Sequence, residues 1–327
     1  MRRCTSMLLR LAIATSSVAL TACNRHQSTL ATFGEEASGI NRITLVMVVG
    51  ALVIAAAVAG LMAWAVRARP GALSLRRGEG LILIAGGLIP ALVLIALLGF
   101  SLPYMRPRPV AAADLRIDVT GEQFWWRVAY RPQNGGAVTS ANEIRIPVGR
   151  TVLFRLAGGD VVHSFWIPGL AGKMDMIPGR TNDLPVRATR PGRFRGQCTE
   201  FCGLSHALMA FDVVAMEPAA FDRWLAEQRR PAAATGGTPG AALFAQHGCG
   251  GCHAIRGTAA QGTIGPDLTH IGSRPTVAAG TLPNQPAALA RFIRTPAAVK
   301  PGARMPSYPQ MPEAEARAIA QYLGTLE

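Results

Sequence analysis

The sequence predicts a multi-domain, membrane-anchored chain: a two-helix transmembrane hairpin, then an all-β domain, then an all-α domain. Three observations carry this reading. Residues 43–66 and 81–103 are apolar runs without a charged residue, each longer than the roughly 20 residues that cross a bilayer. From Asp114 to about Met216 the pattern is mostly period two, broken by Gly, Pro and Asn turns. Residues 241–327 open and close on helical runs, AALFAQHG and EAEARAIAQYLGTL.

The first element is an export signal, residues 1–22, with a basic start and an apolar centre. Leu20-Thr21-Ala22-Cys23 resembles a bacterial lipoprotein cleavage box, which would make Cys23 a lipid-bearing mature N-terminus; the alternative is an ordinary small-residue cleavage site. Cys4 would leave with the signal. An exported segment, 23–42, leads to the first span. The loop 67–80 carries Arg67, Arg69, Arg76 and Arg77 against Glu79, so it is expected in the cytoplasm, with both ends of the hairpin outside. Pro90 should bend the second span. Glu79 reads as a solvated loop charge, with a proton-uptake entry as the alternative. The formal charge of +14 includes these arginines and those of the signal, and the two exported domains are only mildly basic. No clustered basic face suggests a nucleic-acid partner.

The β domain is expected over 111–230 as a sandwich or barrel. LRIDV, FWWRVAY, EIRIPV, TVLFRLA and RFRGQC read as strands, with Ile144, Ile146, Val152, Phe154 and Leu156 inward and a short helix over 221–230 closing the domain. Its chemistry sits in CTEFCGLSHALM, with His163 thirty-five residues before Cys198. Thiolate, imidazole and thioether together select copper over magnesium or calcium. A mononuclear blue-copper site needs one Cys, two His and a weak Met, so Cys202 is surplus to it. Two thiolates four residues apart can instead bridge two copper ions, each with its own histidine. A Cys198–Cys202 disulfide or a zinc site would use the same cysteines, but would leave Met209 and His163 unexplained.

The linker 231–240, PAAATGGTPG, should be a flexible tether that keeps the last domain near the copper site at high effective concentration. In the last domain, Cys249-Gly-Gly-Cys252-His253 is the c-type haem attachment pattern, with His253 as one axial ligand. The alternatives are a redox disulfide or a zinc half-site, the latter disfavoured because no second CxxC completes it. Met305 is the expected sixth ligand and Met311 its rival. His247 and His270 read as surface or packing residues, and His26 as solvated.

DVVHSFWIPGLAGKMDMIPGR, GQCTEFCGLSHALM and CGGCH with MPSY closely resemble subunit II of bacterial cytochrome c oxidases that carry a fused C-terminal cytochrome c domain. The resemblance covers nearly everything after the signal. It implies a cupredoxin Greek-key barrel bearing a dinuclear copper centre (CuA), then a class I cytochrome c domain with covalent haem c. His163 and His206 would be the imidazole ligands, Cys198 and Cys202 the bridging thiolates, Met209 the weak thioether and Glu200 a backbone carbonyl ligand. The Glu200 carboxylate would reach a magnesium site shared with subunit I, and Asp160, Asp175 and Arg180 match positions near that interface. An aromatic electron-entry patch would comprise Phe124, where tryptophan is usual, with Trp125 and Trp126.

The implied role is electron relay from a cytochrome c or a bc complex, through haem c and copper, to subunit I. Dioxygen would be reduced there to water with proton translocation. Subunit III is a further expected partner, and the location is the bacterial plasma membrane with the cofactor domains on the outer face. The spans lack histidine, so the oxygen-reducing centre must be in the partner. Alternatives are the copper-bearing subunit of a nitric oxide reductase, or a copper-delivery or thiol-redox protein. Quinol oxidase subunits lack these copper ligands.

Overall fold

The computed structural model describes residues 26–69, 71–72, 74–106, 113–132, 135–232 and 237–327. The signal segment and Cys23 lie outside the described residues. The chain forms two compact units: Ser38–Pro109, and the remainder.

In the first unit, helix α1 (Glu35–Arg67) starts ahead of the predicted span. Glu35 and Glu36 in its first turn complement the positive end of the helix dipole, so the helix forms before the apolar run begins. The second span is α2 (Leu75–Leu83), a π-helical turn (Ile84–Leu88) and α3 (Ile89–Met105). The turn lies just before Pro90, whose ring would clash with the carbonyl four residues back in a regular helix. The expected disturbance at Pro90 is therefore a widened turn. Glu79 stands exposed on α2, already helical, where a loop was expected. Both helical runs are long and apolar enough to cross a membrane, and their apolar windows are unburied.

The second unit begins with a β-sandwich of two five-stranded sheets. One sheet has the order β3-β2-β1-β5-β8, built from β1 (Leu115–Glu122), β2 (Trp125–Arg131), β3 (Val138–Ala141), β5 (Thr151–Gly158) and β8 (Thr181–Arg187). The other has the order β4-β10-β9-β6-β7, from β4 (Glu143–Pro147), β6 (His163–Trp166), β7 (Met174–Met176), β9 (Gly192–Cys198) and β10 (Ala210–Met216). β1 pairs parallel with β5 and β10 parallel with β4, as crossovers between sheets require. The five inward residues expected from alternation, from Ile144 to Leu156, are fully buried. An aromatic core of Trp126, Phe165 and Phe211 holds the sheets together, with the two phenylalanine rings stacked at 4.7 Å. Helix α4 (Pro218–Gln228) closes the sandwich, laying Phe221 and Trp224 against Tyr130.

The C-terminal module has its own core, in which α5 (Pro239–Gln246), α6 (Pro286–Arg294) and α8 (Glu313–Gly324) pack together, with short α7 (Pro296–Val299) between. Thr238 caps α5 by accepting from the Ala241 amide at 3.2 Å.

The module expected to move freely on a tether is seated on the sandwich. Ala232 donates to the Arg256 carbonyl at 3.0 Å, and Arg256 reaches back to the Gln228 carbonyl at 2.8 Å. Ala210 donates to the Ala279 carbonyl at 3.0 Å, and Thr276 to the Asp212 carboxylate at 2.6 Å. Lys300, buried to 3 % exposure, inserts its ammonium toward the carbonyls of Phe124 and Ala278. A buried amine with polar partners fixes register, because displacing it would leave the two carbonyls without their donor.

Candidate metal and haem sites

The sulfur and nitrogen donors converge at one end of the sandwich. β6 and β9 pair antiparallel with Phe165 opposite Cys198, which puts His163 and Cys198 at the same edge. The chain then loops through Cys202 and a 3-10 turn (His206–Leu208) to Met209, whose carbonyl accepts from the Cys198 amide at 3.0 Å. Gly121 on β1 makes room: a Cβ there would lie 2.9 Å from the His163 ring.

Cys198 Sγ lies 3.9 Å from Cys202 Sγ, 3.9 Å from His163 Nδ1 and 3.2 Å from the Glu200 carbonyl oxygen. Cys202 Sγ lies 3.7 Å from His206 Nδ1 and 3.9 Å from Met209 Sδ. The ligand atoms of buried His163, Cys198 and Cys202 all lie within 4.8 Å of one another, close enough to hold a metal ion, and Met209 is 1 % exposed. All four described cysteines are free thiols. The two sulfurs are closer than twice a typical metal–thiolate bond of about 2.3 Å, so one ion can touch both, and there is a histidine on each side for two. The donor set fits copper: soft sulfur and imidazole, no carboxylate oxygen in the cluster. The thiols titrate as a pair. The hydrogen bond from Cys202, opposed by burial and helped by His163, pulls Cys198 down to about 3. The same bond, with burial, pushes Cys202 up. One proton leaves readily and the second stays until a cation displaces it.

Around this cluster stand residues that orient its donors. Asp160 accepts from His163 Nε2 at 2.8 Å, which fixes the tautomer that leaves Nδ1 free. Burial pushes the Asp160 carboxyl up, but hydrogen bonds from His163, Gln123 and Val161 outweigh it and hold it below the usual range. Gln123 donates its amide to Asp160 at 2.8 Å and its side chain to the Cys202 carbonyl. Asp175 and Arg180 are exposed. Glu200 is exposed too, and among the described residues it belongs to no cluster of three potential metal-ligating side chains, so most ligands of any magnesium there would come from elsewhere.

The second site is a cavity of about 240 Å³ lined by Cys249, Cys252, His253 and Met305, and on the sandwich side by Phe124 and Trp125. A 3-10 turn (Cys249–Gly251) brings both cysteines to the same wall. His253 Nδ1 donates to the Pro266 carbonyl at 2.8 Å, leaving Nε2 as the free donor. Burial lowers the His253 pKa and keeps the ring neutral. A Cβ on Gly265 would sit 2.6 Å from that ring. This mostly apolar cleft with two thiols, an oriented imidazole and a thioether fits a covalently held haem. Met311 is absent from the lining and buried in the module core.

The aromatic patch divides. Phe124 and Trp125 face the cavity, and Arg127 stacks over Trp125 at 4.6 Å. Trp126 is fully buried in the sandwich core and cannot belong to a docking surface. Neighbouring residues of a strand point to opposite faces, so Trp125 and Trp126 could not both face outward. His247 bonds Glu315 at 2.8 Å, and His270 is buried against the Arg230 carbonyl. His26, expected to be solvated, is exposed but tied down: its ring meets the Arg193 carbonyl at 2.8 Å.

Two family models match the chain: "Cytochrome C oxidase subunit II, periplasmic domain" over residues 130–216, and "Cytochrome c" over residues 238–327. Cytochrome c oxidase subunit 2 of Alkalihalophilus pseudofirmus is 42% identical over 215 residues, 64% of this chain and 61% of that protein, which is less than two thirds of the relative's length. The Bacillus subtilis subunit 2 is 31% identical over 254 residues, 73% of this chain and 70% of that protein. The crystal structure of the periplasmic domain of subunit II of the Bradyrhizobium japonicum cytochrome oxidase is similar at 33% identity and a TM-score of 0.35, covering 38% of this chain and 97% of that one. The two family models and the Bacillus subtilis relative lead to one conclusion: the chain belongs to the cytochrome c oxidase subunit II family and carries a cytochrome c domain at its C-terminal side.

Proposed function

We propose that this chain is the electron-entry subunit of a haem–copper terminal oxidase, receiving electrons at a covalent haem c and delivering them through a dinuclear copper centre to subunit I. The observation that carries the reading is the convergence of two free thiols, two imidazoles, a thioether and a backbone carbonyl, each within 3.2–3.9 Å of a cysteine sulfur. Two copper ions and a haem c would supply one-electron redox chemistry there. His163, Cys198, Glu200 (carbonyl), Cys202, His206 and Met209 would hold the copper; Cys249 and Cys252 would attach the haem, and His253 and Met305 would ligate it.

The protein's own contribution is rigidity and dryness. Asp160 and Pro266 orient one imidazole at each site, and burial keeps His163, Cys198, Cys202 and Met209 from water, while the haem-side donors are part-buried. Phe124 and Trp125 line the haem cleft, while the adjoining Gln123 bonds the backbone of Cys202, so one short segment joins the two sites. The apolar hairpin would anchor the chain and pack on subunit I, with the cofactor domains on the outer face. Exposed Phe201 and Leu204 on the metal loop offer that partner an apolar contact. Dioxygen reduction to water and proton translocation would take place in subunit I, with Glu200 contributing to a magnesium site between subunits; a cytochrome c or a bc complex is the proposed donor and subunit III a further partner.

The test is a paramagnetic-resonance and optical spectrum of the purified chain with its metal content. The expected result is one unpaired electron coupled to two equivalent coppers, beside a low-spin haem c, at two coppers per haem. Coupling to a single copper nucleus would overturn the dinuclear assignment.

A further inference from the structure

We propose that Asp160 is a positioning residue shared by the two redox modules: one carboxylate oxygen fixes His163 and the other holds Arg304 of the C-terminal module, so that the seating of that module is felt at the copper-facing imidazole. This rests on the two-site reading above. The Asp160 carboxylate is saturated. Oδ1 accepts from His163 Nε2 at 2.8 Å and from the Val161 amide at 2.7 Å. Oδ2 accepts from the Gln123 amide at 2.8 Å and from Arg304 Nη2 at 2.9 Å. Four donors meet the four lone-pair positions a carboxylate has.

The geometry separates this contact from ordinary surface pairing. Arg304 is the residue next to Met305, which lines the haem cleft, and His163 Nδ1 faces Cys198 Sγ. One ion pair and one hydrogen bond therefore span from the neighbour of a proposed haem ligand to a proposed copper ligand. A carboxylate on the far nitrogen of a metal-binding histidine raises the ring's basicity. An arginine on that same carboxylate withdraws part of its charge, and basicity falls again. Arg304 is 59% exposed, so as glue the pair contributes little. Its effect is electrostatic: with the module seated, His163 is a weaker donor and the copper is easier to reduce, which favours transfer from haem to copper. The Gln123 amide on Oδ2 keeps the carboxylate in place when Arg304 is removed.

Two substitutions in the full-length, copper- and haem-loaded chain test this by opposite signs. Arg304→Gln leaves the full carboxylate charge on His163; the copper potential should fall, and the equilibrium constant for haem-to-copper transfer should drop roughly fivefold, the low end for coupled sites. Asp160→Asn keeps an oxygen that can accept from Nε2 but removes the charge; the copper potential should rise. Spectroelectrochemical titration of the copper absorption, beside the paramagnetic-resonance spectrum, reads both. A merely structural role would shift both variants the same way. An unchanged copper potential in Arg304→Gln, or shifts of one sign in both variants, would overturn the proposal. Should Asp160→Asn fail to take up copper, Arg304→Gln alone decides. A wild-type spectrum without two-copper coupling would sink the underlying reading instead, which is a distinct result.

Discussion

Met305 and Met311, each followed by proline in one loop, invite a double test that separates ligation from packing. Met305 is part-buried on the wall of the haem cleft, at the edge of the core rather than inside it. Met311 is 1 % exposed and belongs to the core of the C-terminal module with Ile319 and Leu323. Met311→Ala should therefore act as a large-to-small core change costing about 2–5 kcal/mol. Even at about 2 kcal/mol, a module of this size should lose about 8–16 °C in Tm, with its low-spin haem spectrum intact. Met305→Ala should cost less stability but remove the sixth ligand, leaving a haem that is high-spin or binds added ligands. Visible spectra of the oxidised full-length chain and thermal unfolding followed in the haem band measure both. A low-spin spectrum in Met305→Ala, with the ligation change appearing in Met311→Ala, would refute the reasoning.

Lys300 gives a pH signature. Burial pushes its ammonium down to about 7, so between that pH and 10.5 the unfolded chain binds the extra proton. Stability should rise with pH through this window, by up to about 2–3 kcal/mol between pH 7.5 and 9.5, and level off below it. Lys300→Met should flatten that slope in denaturant titrations; parallel slopes for the two proteins would contradict the assignment. Gly121→Ala would press a methyl to within 2.9 Å of the His163 ring. Copper affinity should fall about 10–100-fold, as for other disturbed ligand supports, in competition with a chelator, while haem content stays at wild type.

The donor residues were legible because they are local. Cys198 to Met209 is a single loop, and the haem pattern is five consecutive residues. Strands with clean alternation, such as β4 and β5, were legible for the same reason. β10 was not, because both its faces are covered, so AFDVVAM shows no alternation and carries a buried Asp212 among its apolar residues. β8 was hidden by Pro185 and by Asn182 and Asp183, which an edge strand tolerates. Asp160 was singled out by the resemblance, but only as an interface position; Gln123 and Arg304 carry no motif, and their roles exist only once segments up to 144 positions apart meet. Lys300 looks like any surface lysine until its partners, 176 and 22 positions away, are known. The two adjacent tryptophans show the reverse: the resemblance implied one surface patch, and strand geometry forbids it.

One wall of the haem cleft is supplied by Phe124 and Trp125, which belong to the neighbouring fold. A fragment cut at the linker would keep every attachment residue yet present that side of its prosthetic group to water. Greater hydration stabilises the more highly charged oxidation state, so such an excised piece should be a stronger reductant than the same group in the intact polypeptide. Its redox behaviour would thus be inherited from the union of two folds, and bench work on the severed half would describe a different molecule.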